Sequence, residues 1–268
     1  MSRYSYALAP LTVLLWSPPQ MLEAAARCGY ADIGLRFTPA TPNGVHWPLM
    51  RDAAMRRETV AAMAATGVGL LDVELVRLTP DFDLDAYRPF LETAARIGAR
   101  RVITQGHDPE RGRVIENFAR LCDTAAPLGL GVSIEFLSWI DVASLADAIE
   151  VVRAAERPNG GILVDALHFA RSGSRLTDLD GLPPEWFGFM QICDGPAIGP
   201  AAREAVIHAA REDRLAPGEG EFDLKGLMAR LPPLAVSLEC PNTARAAQLG
   251  LEPWVRHMLV AAQTLLEG

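Results

Sequence analysis

Cysteine is sparse: four residues in 268, Cys28, Cys122, Cys193 and Cys240, widely spaced and with no CxxC pair. That spacing excludes a disulfide framework and reads as reduced thiols packed in a core, as expected of a cytoplasmic chain. Positive charge is also short, with 25 Lys and Arg against 33 Asp and Glu and a net charge of −8. A nucleic-acid surface, which needs clustered Lys and Arg against phosphates, is therefore not expected. No apolar run spans a bilayer: Ala7 to Trp16 is too short and contains Pro10, and no secretory signal pattern opens the chain. No GxGxxG turn follows the first apolar run, which removes the main support for a doubly wound dinucleotide-binding sheet. No linker or low-complexity stretch interrupts the chain, so residues 1–268 are expected to form one domain.

Half the residues are hydrophobic, enough for one large core at a length near the roughly 250 residues of a TIM barrel. Apolar β-rich runs fall at residues 6–14, 31–37, 70–77, 101–105, 131–137, 160–165, 187–193 and 234–240. Helical periods lie between them: one opened by Pro18-Pro19, residues 57–66, one through Tyr87 and Ile97, and one through Phe118 and Leu121. Residues 142–155, a short element near Leu179, and residues 224–231 and 254–266 complete the series. Strand and helix in alternation imply an α/β chain with a parallel sheet, and eight such units close as a single (β/α)8 TIM barrel.

Active sites of such barrels lie at the carboxyl ends of the strands. Reading those ends on four successive strands gives Glu135, Asp165, Gln191 and Glu239, each a polar residue in an apolar run. An unpaired buried charge costs several kcal/mol, so four together call for a shared partner. Ser133 lies on the face of Glu135 and Ser237 on that of Glu239, small residues that leave room beneath the carboxylates. An all-oxygen set of this kind suits one divalent metal ion, Mg²⁺, Mn²⁺ or Co²⁺, better than zinc. Three carboxylates exceed the charge of such an ion, and a nearby cation or imidazolium is expected to balance the excess. His168, in the loop expected after the sixth strand, is the candidate; it and Arg214, ahead of a Pro-Gly-x-Gly loop, are expected to touch substrate rather than metal. Glu74, Gln105 and Trp139 are expected on the pocket wall, His46-Trp47 as a cover, and Arg36 as an anion contact.

The stretches Val132-Ser-Ile-Glu135, Gly161-Ile-Leu-Val-Asp-Ala-Leu-His168, Met190-Gln-Ile-Cys-Asp194, Pro217-Gly-Glu-Gly-Glu-Phe-Asp-Leu224 and Val236-Ser-Leu-Glu239 carry a resemblance. They resemble the xylose isomerase-like TIM barrels, the sugar phosphate isomerase/epimerase superfamily. Ketose epimerases and inosose-processing members of that group place a His where this chain has Gln191. That Gln, the Gln-x-x-Asp spacing to Asp194 and the Pro-Gly-x-Gly-Glu-Phe-Asp-Leu run look more like bacterial 3-dehydroshikimate dehydratases. Ala210 departs from those dehydratases, which carry a substrate-contacting Ser at that position.

The resemblance implies removal of a proton next to a carbonyl of a small sugar or keto-polyol. Glu135 and Glu239 would act as base and acid, with His168 as a further catalytic group. Isomerisation or epimerisation is the expected reaction, with dehydration the alternative and a non-catalytic sugar-binding barrel a third reading. Metal-dependent DNA-repair endonucleases share the fold but need more His ligands and a basic face than five His and a charge of −8 supply. The expected partner is thus a small molecule, without nucleic acid or membrane, and homo-oligomerisation is left open.

Overall fold

Eight parallel strands close on themselves in chain order in the computed structural model, which describes residues 3–41 and 43–268. Met1 and Ser2, at the start of the stretch read for a signal pattern, fall outside the described residues. The strands are β1 (Tyr6–Leu8), β2 (Asp32–Arg36), β3 (Gly69–Leu78), β4 (Arg101–Gly106), β5 (Gly131–Glu135), β6 (Gly160–Asp165), β7 (Phe189–Ile192) and β8 (Ala235–Leu238). β1 pairs with both β2 and β8, so the sheet has no edge. The helices are α1 (Pro18–Cys28), α2 (Ala53–Thr66), α3 (Leu84–Arg96), α4 (Arg111–Ala125), α5 (Leu145–Ala155), α6 (Ala166–Arg171), α7 (Arg203–Glu212), α8 (Leu224–Arg230), α9 (Thr243–Leu249) and α10 (Leu251–Glu267).

Alternation along the strands sorts the core into two parts. Ala7, Leu71, Leu75, Ile103, Leu163 and Phe189 form a small cluster of their own inside the barrel. The larger cluster packs the outward faces of the strands against the helices. α1 shows how its share is made: Met21, Leu22, Ala25 and Cys28 recur at helical spacing and are buried. All four cysteines are free and buried, in line with their reading as core thiols. Among the described residues no helix is long and apolar enough to cross a membrane.

Four expected elements differ. The first strand, read as residues 6–14, stops at Leu8, because Pro10 has no amide proton for the ladder and opens a 3-10 turn over Pro10–Val13. Leu11, Thr12 and Val13 of that turn line the cavity described below. The loop expected after the sixth strand is the helix α6, which starts at once because Asp165 caps it, accepting from the amides of Leu167 at 2.8 Å and His168 at 3.0 Å. The fifth and eighth ladders end at Glu135 and Leu238, short of residues 137 and 240. Glu239 therefore sits just past β8, its amide still donating to Ile192 O at 3.1 Å.

Gly34 on β2 is required by close approach. A Cβ there would meet Asp72 Oδ1 at 2.7 Å and Pro10 Cδ at 2.9 Å.

Candidate metal and substrate site

Glu135, Asp165, Gln191 and Glu239 stand at the carboxyl ends of four adjacent strands, and all four are buried. Ser133 and Ser237, one step beneath Glu135 and Glu239, are fully buried with unpartnered hydroxyls. Glu135 Oε2 accepts from Gln105 Nε2 at 2.5 Å. Glu239 Oε1 accepts from Gln191 Nε2 at 3.1 Å. His168 Nε2 lies 4.0 Å from Glu135 Oε1. Ligand atoms of Glu135, Asp165 and His168 lie within 4.8 Å of one another, which places His168 nearer the carboxylates than the expected loop position did.

Burial pushes His168 down to about 4, against the attraction of Asp165 and with help from Arg214, so the imidazole is neutral near pH 7. Burial thus disfavours the expected imidazolium. The Trp139 ring meets it edge-on, with centroids 5.1 Å apart. Arg214 is the cation instead. Its Nη1 lies 2.6 Å from Asp165 Oδ2 and its Nη2 3.0 Å from Glu239 Oε2. Arg214 is only 1% exposed, so its sequence setting beside Arg203 and Arg211 is misleading: those belong to a surface helix, and Arg214 turns inward.

The local chain explains that turn. Asp194 and Leu215 exchange backbone hydrogen bonds of 2.9 Å, and Asn242 Nδ2 donates to Arg214 O at 2.9 Å. The Asp194 carboxylate accepts from the amides of Gly195 at 2.8 Å, Gly218 at 2.9 Å and Phe222 at 3.0 Å. Gly218, at φ 87°, takes the left-handed turn that brings its amide round. The Gln-x-x-Asp spacing and the Pro-Gly-x-Gly loop thus form the brace that positions Arg214.

Three acidic side chains share this buried end with one guanidinium, so their full ionisation would leave net negative charge beside a neutral His168. Burial, then Glu239 and Asp165, raise Glu135 well above the usual carboxylate range. Burial raises Glu239 to about 8 despite Arg214. Asp165 is held below its ordinary value, because Arg214 and the helix amides outweigh burial. A divalent cation would relieve this repulsion. Gln191 Oε1 and His168 Nδ1 are buried with no hydrogen-bond partner, and such orphans in an acidic cluster fit a metal position. The donor set present is suited to the ion.

A cavity of about 600 Å³ opens above these groups. Glu74, Gln105, Trp139, His168 and Arg214 all line it. Arg36, expected as an anion contact, instead donates to Glu74 Oε1 at 2.6 Å. His46 and Trp47 do not line the cavity; Thr41, Gly44 and Val45 of the same loop do. His46 is exposed and bonded to Gly44 O at 3.1 Å. Four ionisable lining residues went unread in the sequence: Arg77, His107, Arg211 and Glu212. His107, with Nε2 3.2 Å from Gln105 Oε1, had a signal in its place two residues past Gln105. Arg77 and Arg211 had none, since strand-end and helix-end arginines are common on any surface.

The 3-dehydroshikimate dehydratase of Pseudomonas aeruginosa is 30% identical over 121 residues, 45% of this chain and 18% of that protein. The inosose isomerase of Bacillus licheniformis is 25% identical over 165 residues, 58% of this chain and 57% of that one. The matches therefore span less than two thirds of either relative. In shape, the IolI protein with a bound zinc atom superposes with a TM-score of 0.80 at 20% identity, over 99% of this chain and 98% of the other. The family of xylose isomerase-like TIM barrels matches residues 22–258, and the chain belongs to that family.

Proposed function

We propose that the protein is a divalent-metal-dependent enzyme that removes a proton next to the carbonyl of a keto-polyol and returns one, as an isomerase or epimerase does. One observation carries this reading: Glu135 and Glu239 face a single cavity from non-adjacent strands, beside the buried strand-end groups that would hold the ion. Two carboxyl groups flanking one cavity support two-base chemistry, one taking a proton and the other returning one.

Glu135, Asp165, Gln191 and Glu239 would hold one ion, Mg²⁺, Mn²⁺ or Co²⁺. Bound there, it supplies electrostatic stabilisation of the charge that develops on the carbonyl oxygen. One glutamate takes the proton and the other returns one on the opposite side of the substrate. Neutral His168 donates a hydrogen bond to a substrate oxygen. Arg214 keeps Asp165 ionised, and Trp139 shields the imidazole from water.

Dehydration is the second reading. It is favoured by Gln191 on β7, by the Asp194 brace, and by the resemblance to the Pseudomonas dehydratase. One base would suffice, with His168 placed near the departing hydroxyl.

The test is turnover in D₂O by protein loaded with Mg²⁺, Mn²⁺, Co²⁺ or Zn²⁺, the last included because a similar structure holds zinc. Ketoses, inososes and 3-dehydroshikimate are the substrates. Solvent deuterium at carbon in a product of unchanged formula is the expected result; loss of water favours the dehydratase. Glu239→Gln should weaken metal binding and abolish turnover together. Neither exchange nor water loss with any substrate would overturn both readings and leave a sugar-binding barrel.

A further inference from the structure

The cavity carries cations that proton transfer does not use. Arg36 on β2, Arg77 on β3 and Arg211 in the last turn of α7 line it together with Arg214 and the strand-end glutamates. Arg36 is neutralised by Glu74 at 2.6 Å. Arg77 is half-buried, and its guanidinium donates to Pro39 O at 3.1 Å and Ala40 O at 2.6 Å, which are uncharged acceptors. Among the described residues neither Arg77 nor Arg211 has a carboxylate within salt-bridge distance. Glu212, the nearby acid on the same rim, faces His208 at 3.9 Å. Burial lowers Arg77, with Arg36 and Arg211 adding to it against Tyr87 and Glu74; burial and Arg36 lower Arg211.

Beside the strand-end carboxylates the cavity thus has a β3 and α7 wall on which Arg77 and Arg211 make no salt bridge, while Glu74 is paired with Arg36 and Glu212 faces His208. A neutral sugar would leave those guanidinium groups repelling one another in a partly desolvated space. A carboxylate would satisfy them, since the planar guanidinium fork matches two carboxylate oxygens. We propose that the substrate is an acid, a keto-polyol bearing a carboxylate that Arg77 and Arg211 hold while its carbonyl end faces Glu135 and Glu239. The proposal rests on the proton-transfer reading for the orientation of that carbonyl end.

The test is calorimetric binding to Mn²⁺-loaded protein of two matched pairs: quinate against methyl quinate, and D-gluconate against sorbitol. At least one acid should bind about tenfold or more tighter than its neutral partner. Arg77→Gln and the surface variant Arg211→Gln should each remove most of that advantage, with metal content and affinity for the neutral partner unchanged. Equal binding within both pairs, no binding of either acid at millimolar concentration, or full discrimination kept by both variants would overturn the proposal. Tighter binding of myo-inositol 1-phosphate than of either acid would overturn the carboxylate assignment. Metal content read in the same samples separates the two ideas. Protein that prefers the acids yet holds no divalent ion keeps the acid pocket and loses the proton-transfer reading.

Discussion

Arg214 Nη1 lies 2.6 Å from Asp165 Oδ2, with both side chains withdrawn from solvent, and the same guanidinium reaches Glu239 at 3.0 Å. Removing one partner of a buried pair strands the other charge, at a cost of about 3–5 kcal/mol. Arg214→Ala should therefore unfold at lower temperature than the parent in the absence of metal. Added Mn²⁺ should recover part of the loss, because ligand binding to the folded state stabilises it. kcat/KM should fall by about 100-fold or more with metal content near normal. Thermal scans with and without Mn²⁺ decide it, and identical metal-free melting of the two proteins would show that the pair contributes nothing.

Asp194 braces the loop that sets Arg214 through three backbone amides. Asp194→Ala leaves those donors without an acceptor, at about 1–3 kcal/mol for each one that stays buried. The expected result is faster proteolysis within residues 215–222 and a drop in kcat/KM, with metal still bound by the four strand-end groups. A variant as protease-resistant and as active as the parent would mean that the loop is held by other contacts.

Asp72 on β3 is fully buried, and neither carboxylate oxygen has a hydrogen-bond partner. Burial, with Glu74 and Glu239 adding repulsion, raises it well above the ordinary carboxylate range. A carboxyl group raised in the folded state favours folding only while it stays protonated. Its penalty grows as pH rises from the unfolded value of about 4 toward the folded one. Asp72→Asn removes that titration. The variant should be more stable than the parent at pH 7.5 by roughly 1 kcal/mol or more, and the gap should close near pH 4.5. Urea unfolding at the two pH values measures it; a gap that is constant or widens toward acid would show that Asp72 is ionised in the fold.

His168 is buried, neutral and packed edge-on against Trp139. His168→Ala should lower kcat/KM by about 100-fold while divalent metal content stays near the parent value. Metal analysis beside kinetics tests this. Loss of the ion from the variant would move His168 from substrate contact to metal ligand, a place its distance from Glu135 and Asp165 permits.

The barrel and its four strand-end groups were legible in the sequence because both follow from short-range rules. Strand alternation puts Ser133 under Glu135 and Ser237 under Glu239, and position at the end of an apolar run aims the polar group at the barrel's mouth. Local steric rules also shortened the first strand, through Pro10, although the apolar pattern continued past it.

Chain pattern by itself thus determined the strand and helix order, the closed barrel and the set of side chains at its carboxyl end. Tertiary structure alone decided the charges. Arg214 reads in the sequence as a substrate contact, and only the Asp194–Leu215 bridge turns it onto Asp165, 49 residues away. Arg77 and Arg211 come from different parts of the chain and share a wall only once the barrel closes. Periodicity reports which face of its own element a residue takes, whereas the pairing of charges depends on distances between elements, which only closure of the sheet sets.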